Sequence, residues 1–159
     1  MSMDPRQLRD HVIEPVLDIL GMRSRGAIAL ILGTAAAESD MGRYIVQLQS
    51  GPARGIYQME PATERDCWRN YLDHRRPLAD AVRSLVPTGA VVGDGVQLTW
   101  SLAYATAMAR VQYKRSPRLV GSTPEEHAAM WKEVWNTRLG AGTMEGFLAA
   151  WKRHGLDGV

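Results

Sequence analysis

The chain has 159 residues, of which 45% are hydrophobic and 23% charged, and its formal net charge is +2 with a pI near 8.9. This length and composition predict one soluble globular domain over residues 1–159. The single cysteine, Cys67, excludes an intramolecular disulfide, and the longest uncharged run is too short to cross a membrane. The weak positive charge gives no basis for nucleic-acid binding, and the N-terminus lacks a signal-peptide pattern.

Two helices are predicted at the N-terminal end of the chain. Asp4 caps a helix that runs to about Leu20, and Pro15 within it predicts a kink or a division into two short helices. Ser24 caps the second helix, whose body over residues 26–37 carries no charge. A helix without a charged face is expected to be surrounded by protein.

The second helix delivers one carboxylate, Glu38, to the edge of a polar, Gly-rich stretch. Burial and the negative end of the helix dipole both disfavour a charged carboxylate, so both raise the pKa of Glu38. Cleavage of a glycosidic bond needs an acid that stays partly protonated near neutral pH. Glu38 is therefore a candidate general acid, and the alternative is an ordinary helix-terminal glutamate with its carboxylate in water.

The stretch after Glu38 is short and mixed in pattern, and its turn residues predict a loop or a small β-hairpin that lines a cleft. Gly55 permits close approach of the backbone to a ligand, while Tyr57 and Gln58 offer a ring and an amide suited to an N-acetylated sugar. The alternative is a turn glycine and a core tyrosine. Ser39 lacks the context of a hydrolase nucleophile, and a hydrogen bond that orients neighbouring backbone is the simpler role.

Five further helices are predicted. The one from Val96 to Lys114 is uncharged as far as Ala109 and is expected to be a single buried helix about 28 Å long, with Trp100 in the core. The other four are expected to begin at or near Pro61, Leu78, Thr123 and Thr143. Four scattered histidines and one cysteine give no support to a zinc site.

Three motifs follow one another in the chain. They are Glu-Ser-Asp-Met-Gly at 38–42, Gly-Pro-Ala-Arg-Gly-Ile-Tyr-Gln-Met-Glu-Pro-Ala-Thr at 51–63, and Trp-Lys-Glu-Val-Trp-Asn-Thr-Arg-Leu-Gly-Ala-Gly-Thr at 131–143. The first two resemble the Glu-Ser-x-x-Gly and Gly-Leu-x-Gln-x-x-Pro-x-Thr signatures of the lysozyme-like lytic transglycosylases. The second and third are similar to motifs of small lysozyme-like phage proteins, except that Trp135 stands where the third usually has tyrosine.

The resemblance implies a mainly α-helical, lysozyme-like domain that cleaves the β-1,4 bond between N-acetylmuramic acid and N-acetylglucosamine in peptidoglycan. Glu38 would be the general acid and then the base, with no metal or other cofactor. Asn136 would contact the substrate, and the alternative is that it only caps the C-terminal end of a helix. The positions implied to contact the substrate are Ser39, Gly55, Tyr57, Gln58, Tyr113, Trp135 and Asn136, with Tyr104 as the alternative to Tyr113.

The type of reaction is left open by the sequence. Hydrolysis needs a second carboxylate, for which Asp40, Glu60 and Asp66 are candidates, or help from the N-acetyl group of the substrate. The lytic transglycosylases use a single glutamate and release a 1,6-anhydro sugar, and the order of the motifs slightly favours this reaction.

The expected partners are peptidoglycan glycan strands and other phage virion or lysis proteins. Without a signal peptide, the protein would be made in the cytoplasm and would reach the cell wall through a holin-type lesion or as part of a virion. The alternative function is a non-catalytic phage structural or glycan-binding protein that retains the fold. A helical DNA-binding protein is disfavoured because no recognition helix carries clustered basic residues.

Overall fold

The structure is a computed structural model that describes residues 1–158. Within that range 62% of the chain is helical and no strand is formed, which confirms the mainly α prediction. The helices are α1 (Pro5–Leu8), α2 (Glu14–Ile19), α3 (Arg25–Ser39), α4 (Pro61–Asn70), α5 (Arg76–Arg83), α6 (Val96–Trp100), α7 (Leu102–Lys114), α8 (Pro124–Met130) and α9 (Met144–Arg153). Two π-helical segments, Arg9–Ile13 and Trp131–Asn136, continue α1 and α8.

The N-terminal helix accommodates its internal proline without a break. The Asp4 carboxylate accepts the backbone N–H of Arg6 at 2.9 Å, as expected of an N-cap. Helical backbone then continues from α1 through the first π segment into α2, where Pro15 lies at the start. A proline removes one backbone hydrogen bond and crowds the carbonyl four residues earlier, and the wider π turn before it relieves both effects. The sequence predicted a kink or two short helices here, and the structure has two short α-helices, α1 and α2, joined by a π turn without a gap.

Helix α3 lies at the centre of the fold. It packs against α7, α8 and α9, and most of its side chains are buried, as its uncharged body predicted. A Cβ atom on Gly33 would lie 2.4 Å from Cζ of Phe147, so the glycine is what allows α9 to approach this closely. The helix ends at Asp40, whose backbone is left-handed (φ 54°).

The helix predicted over residues 96–114 is instead two helices, α6 and α7. Ser101 has extended backbone (φ −120°, ψ 108°), and its Oγ accepts the backbone N–H of Tyr104 at 3.1 Å. The serine side chain therefore caps α7 and replaces the hydrogen bonds that a continuous helix would have made there. Trp100 ends α6 with 78% of its surface exposed, so its expected place in the core was wrong, whereas Met108 is fully buried.

Residues 43–60 form a loop that packs against α6. It contains two isolated antiparallel bridges, both made by Arg54, so it is the loop rather than the hairpin of the prediction. Gly55 has φ +75°, and a Cβ atom there would lie 2.2 Å from the Leu98 carbonyl oxygen.

In the described residues 1–158 the buried apolar side chains form one cluster. None of the helices in that range combines the length and apolar composition needed to span a membrane.

Candidate active site

A cleft of about 720 Å³ opens where the end of α3 meets the 43–60 loop and the second π segment. Among the described residues that line it, the charged side chains are those of Glu38 and Glu60. Most of the remaining polar lining consists of side-chain amides, which both donate and accept hydrogen bonds. These amides belong to Gln47, Gln49, Gln58, Gln112 and Asn136.

Glu38 is half-buried at the wall of this cleft. Burial raises its pKa from the ordinary value of 4.5 to about 7. The indole N–H of Trp131 donates to Oε1 of Glu38 at 2.8 Å and acts in the opposite direction, because it stabilises the charged carboxylate. Burial is the larger effect, so the protonated form of the Glu38 carboxyl persists to a higher pH than that of an ordinary glutamate.

Glu38 is held at two points, its side-chain carboxyl and its backbone carbonyl. Trp131 is buried, and its ring packs 5.5 Å from that of Phe147, so the indole donor has a fixed position. The Tyr44 hydroxyl donates to the backbone carbonyl of Glu38 at 2.8 Å and occupies one of the free carbonyls at the end of α3. Trp131 belongs to the third motif, but no sequence pattern assigned this contact, and nothing in the sequence singled out Tyr44.

Ser39 lies behind the cleft rather than on its surface. It is fully buried; its Oγ accepts the backbone N–H of Gly42 at 2.8 Å and donates to the Ile56 carbonyl at 2.6 Å. These bonds tie the end of α3 to the 43–60 loop. Ser39 thus orients backbone beside Glu38, which is the simpler role considered for it.

The three residues predicted from the second motif lie at different depths. Tyr57 is buried, and its hydroxyl shares a hydrogen bond of 2.8 Å with Thr106. Gly55 is also buried and lies against α6. Only Gln58 of this set lines the cleft; its Nε2 donates to the Gly55 carbonyl at 2.8 Å. Gly55 and Tyr57 therefore shape the loop, and Gln58 presents it to the cleft.

The two aromatic residues predicted from the later helices stack on each other. The rings of Tyr113 and Trp135 are 5.3 Å apart. Tyr113 is buried and its hydroxyl bonds to Thr34 at 2.7 Å, whereas Trp135 lines the cleft. Tyr113 supports the indole from behind and does not itself reach the cleft.

Asn136 lines the cleft and organises the wall beyond it. Its Oδ1 accepts from Nζ of Lys132 at 2.7 Å, and the same ammonium donates to the Gly140 carbonyl at 2.8 Å. A Cβ atom on Gly140 would lie 2.0 Å from the Asn136 carbonyl oxygen, and one on Gly142 would lie 2.8 Å from Nδ2. The two glycines of the third motif therefore let the chain fold directly over Asn136.

The three candidates for a second carboxylate occupy different surroundings. Asp40 faces α9, where its Oδ1 accepts from His154 at 2.7 Å. Asp66 pairs with Arg115 outside the cleft. Glu60 is exposed and lines the cleft together with Glu38. Of the three, only Glu60 shares the cleft with the buried acid.

Comparisons with known proteins add no identification. No family model, curated protein or solved structure matches the chain. In the part of the chain that the structure describes, no group of three or more His, Cys, Asp or Glu side chains is arranged to hold a metal ion. The functional interpretation therefore rests on the sequence motifs and on the geometry around Glu38.

Proposed function

We propose that the protein is a lysozyme-like glycosidase that cuts the β-1,4 bond between N-acetylmuramic acid and N-acetylglucosamine in peptidoglycan. The observation that carries the proposal is the buried carboxyl of Glu38, whose pKa of about 7 keeps a proton available at the wall of an amide-lined cleft. A general acid is most effective when its pKa lies near the working pH. The protein would meet its substrate after a holin-type lesion or as a virion component.

Glu38 acts first as an acid and then as a base. Its proton passes to the glycosidic oxygen as the bond from that oxygen to C1 of the muramic acid breaks. The carboxylate then takes a proton from the group that attacks C1. If that group is the C6 hydroxyl of the same sugar, the product is a 1,6-anhydro sugar, and if it is water, the product is a reducing sugar.

The lining of the cleft suits a glycan strand. Side-chain amides of Gln47, Gln58 and Asn136 match the hydroxyl and N-acetyl groups of amino sugars, which also both donate and accept hydrogen bonds. Trp135 offers an aromatic surface at the same cleft. Few charged groups face the cleft, in keeping with a sugar backbone that is itself uncharged.

The order of the motifs favours the transglycosylase reaction, and the carboxylates of the cleft are compatible with it. A retaining or inverting hydrolase of the usual kind needs two carboxyl groups that flank the scissile bond. Glu60 is the other carboxylate in the described lining of the cleft, and it is exposed at the rim rather than buried. Attack by the C6 hydroxyl needs no second carboxylate, so Glu38 is sufficient for it.

The test is digestion of purified, de-O-acetylated sacculi, with products separated and weighed by mass spectrometry. Wild type is expected to release anhydro-muropeptides. Glu38→Gln keeps the size and the acceptor for Trp131 but removes the proton, so it should reduce the rate at least about 100-fold. Glu60→Gln is the matched control, and it should retain activity.

Two other outcomes would change the conclusion. Reducing-end products that disappear in Glu60→Gln would identify a hydrolase with Glu60 as its second carboxylate. A folded wild-type protein that cleaves no peptidoglycan chemotype would overturn the enzymatic proposal and support a non-catalytic, glycan-binding role in a virion.

A further inference from the structure

A second depression, which we call the side depression, adjoins the cleft. It has a volume of about 590 Å³, is open to solvent, and lies between α4, the end of α7 and the second π segment. Three residues, Thr63, Gln112 and Val134, line both spaces. The two spaces are therefore neighbours on the surface of the protein, and a branched ligand could occupy both at once.

The side depression differs from the cleft in charge. The cleft has no cationic side chain among its described lining residues. The side depression is lined by Arg115 together with the carboxylates of Asp66 and Glu133. Asp66 pairs with Arg115, and Glu133 pairs with Arg118. The side depression therefore presents ion pairs to a ligand, whereas the cleft presents neutral amides and two glutamates.

Arg115 is held in a fixed position. Its guanidinium pairs with Asp66, donates to Oε1 of Gln112 at 3.0 Å and contacts the buried sulfur of Cys67 at 3.3 Å. The Arg115 and Asp66 side chains nevertheless remain 25% and 45% exposed. An ion pair that is both ordered and accessible can bind a charged group with little loss of side-chain entropy.

We propose that the side depression binds the peptide branch of a peptidoglycan strand while the cleft holds the sugar backbone. This inference rests on the proposed function. The peptide is attached to the lactyl group of the muramic acid and carries carboxylates and amines, whereas the backbone is neutral. The charged side depression corresponds to the peptide, and the mainly neutral cleft corresponds to the sugar backbone of the same substrate. The open side of the depression lets a cross-linked peptide continue toward the next strand.

The test compares two substrates that differ only in the branch. Soluble glycan strands that carry peptides are cleaved in parallel with the same strands after an amidase has removed the peptides. Arg115→Gln should lower kcat/KM about tenfold on peptide-bearing strands, the usual effect of losing a hydrogen bond between charged groups. It should leave kcat/KM on bare strands unchanged.

Arg23→Gln is the matched control, because Arg23 is also an ion-paired arginine but bonds only to Glu14 and Asp18. Arg23→Gln should change kcat/KM neither on peptide-bearing strands nor on bare strands. A parallel decrease on both substrates in Arg115→Gln would show that Arg115 supports the cleft, and no decrease on either would show that the peptide is not bound there. Both results would overturn the inference and leave the proposed function intact. Failure of wild type to cleave either substrate would instead overturn the proposed function.

Discussion

At the scale of single residues, the proposed chemistry depends on two opposing influences on the pKa of Glu38. Burial raises its pKa, and the hydrogen bond from Trp131 lowers it. Because the acid must be protonated to act, the rate should fall as the pH rises through the pKa, which is about 7. Under the proposed function, the indole would therefore set how far into the alkaline range the activity extends.

Trp131→Phe tests this dependence. The substitution keeps an aromatic ring beside Phe147 but removes the donor to Glu38, so the pKa of Glu38 should rise further. The alkaline limb of kcat/KM, measured between about pH 5 and pH 9, should move to higher pH, and kcat should fall because the carboxyl is held less firmly.

Trp68→Phe is the control for Trp131→Phe. Trp68 is also a buried indole, but its N–H donates to the Tyr104 hydroxyl at 2.9 Å. The control should leave the alkaline limb where it is in wild type. A limb that moves to lower pH in Trp131→Phe would contradict the role given to the indole.

At the scale of elements, the cleft keeps its shape because the 43–60 loop is fixed to α6. Gly55→Ala should destabilise the fold by about 3 kcal/mol, since it combines a left-handed backbone with a Cβ atom 2.2 Å from the Leu98 carbonyl oxygen. Gly21→Ala is the matched control, because Gly21 has φ +64° but open space around it; it should cost about 1 kcal/mol. Urea unfolding measures the free energy of unfolding of both variants. Equal losses of stability in the two would show that the contact with α6 is unimportant.

Local signals account for the elements that the sequence predicted well. The caps Asp4, Ser24 and Thr123 each make the expected side-chain bonds, because a cap is decided by residues within one turn of it. The break at Ser101 was missed because a serine within an uncharged run is compatible with either a continuous helix or a cap. Which of the two forms depends on packing that the local pattern does not contain.

The site was predictable in part for the same reason. Glu38 was placed correctly at the edge of a cleft, because an apolar helix that ends in one carboxylate indicates burial of that group. Tyr57, from the second motif, and Tyr113, from a later helix, are both in the interior, because neither a motif nor a helix position gives the depth at which a side chain lies. The bond between Trp131 and Glu38 joins residues 93 positions apart, so no local spacing could reveal it.

At the scale of the whole molecule, the contact between α3 and α9 joins the acid-bearing helix to the C-terminal part of the chain. Gly33→Ala should destabilise the protein by about 2 kcal/mol, although alanine favours helix formation, because its Cβ atom would overlap the Phe147 ring. A double-mutant cycle with Phe147→Leu is the measurement. The double variant should be more stable than the sum of the two single losses predicts, and additive losses would contradict a direct overlap.

The burial of Glu38 also sets how the fold responds to acid. Its pKa is higher in the folded chain than the ordinary value of 4.5, so the native state holds this proton more tightly than the unfolded chain does. Considering this group alone, the free energy of unfolding is greatest below about pH 4.5, falls as the pH rises to about 7, and is then lower by about 3 kcal/mol. Glu38→Gln would abolish that decrease. The group that we propose as the acid thus makes the native state less stable at neutral pH, where the proposed reaction would use it.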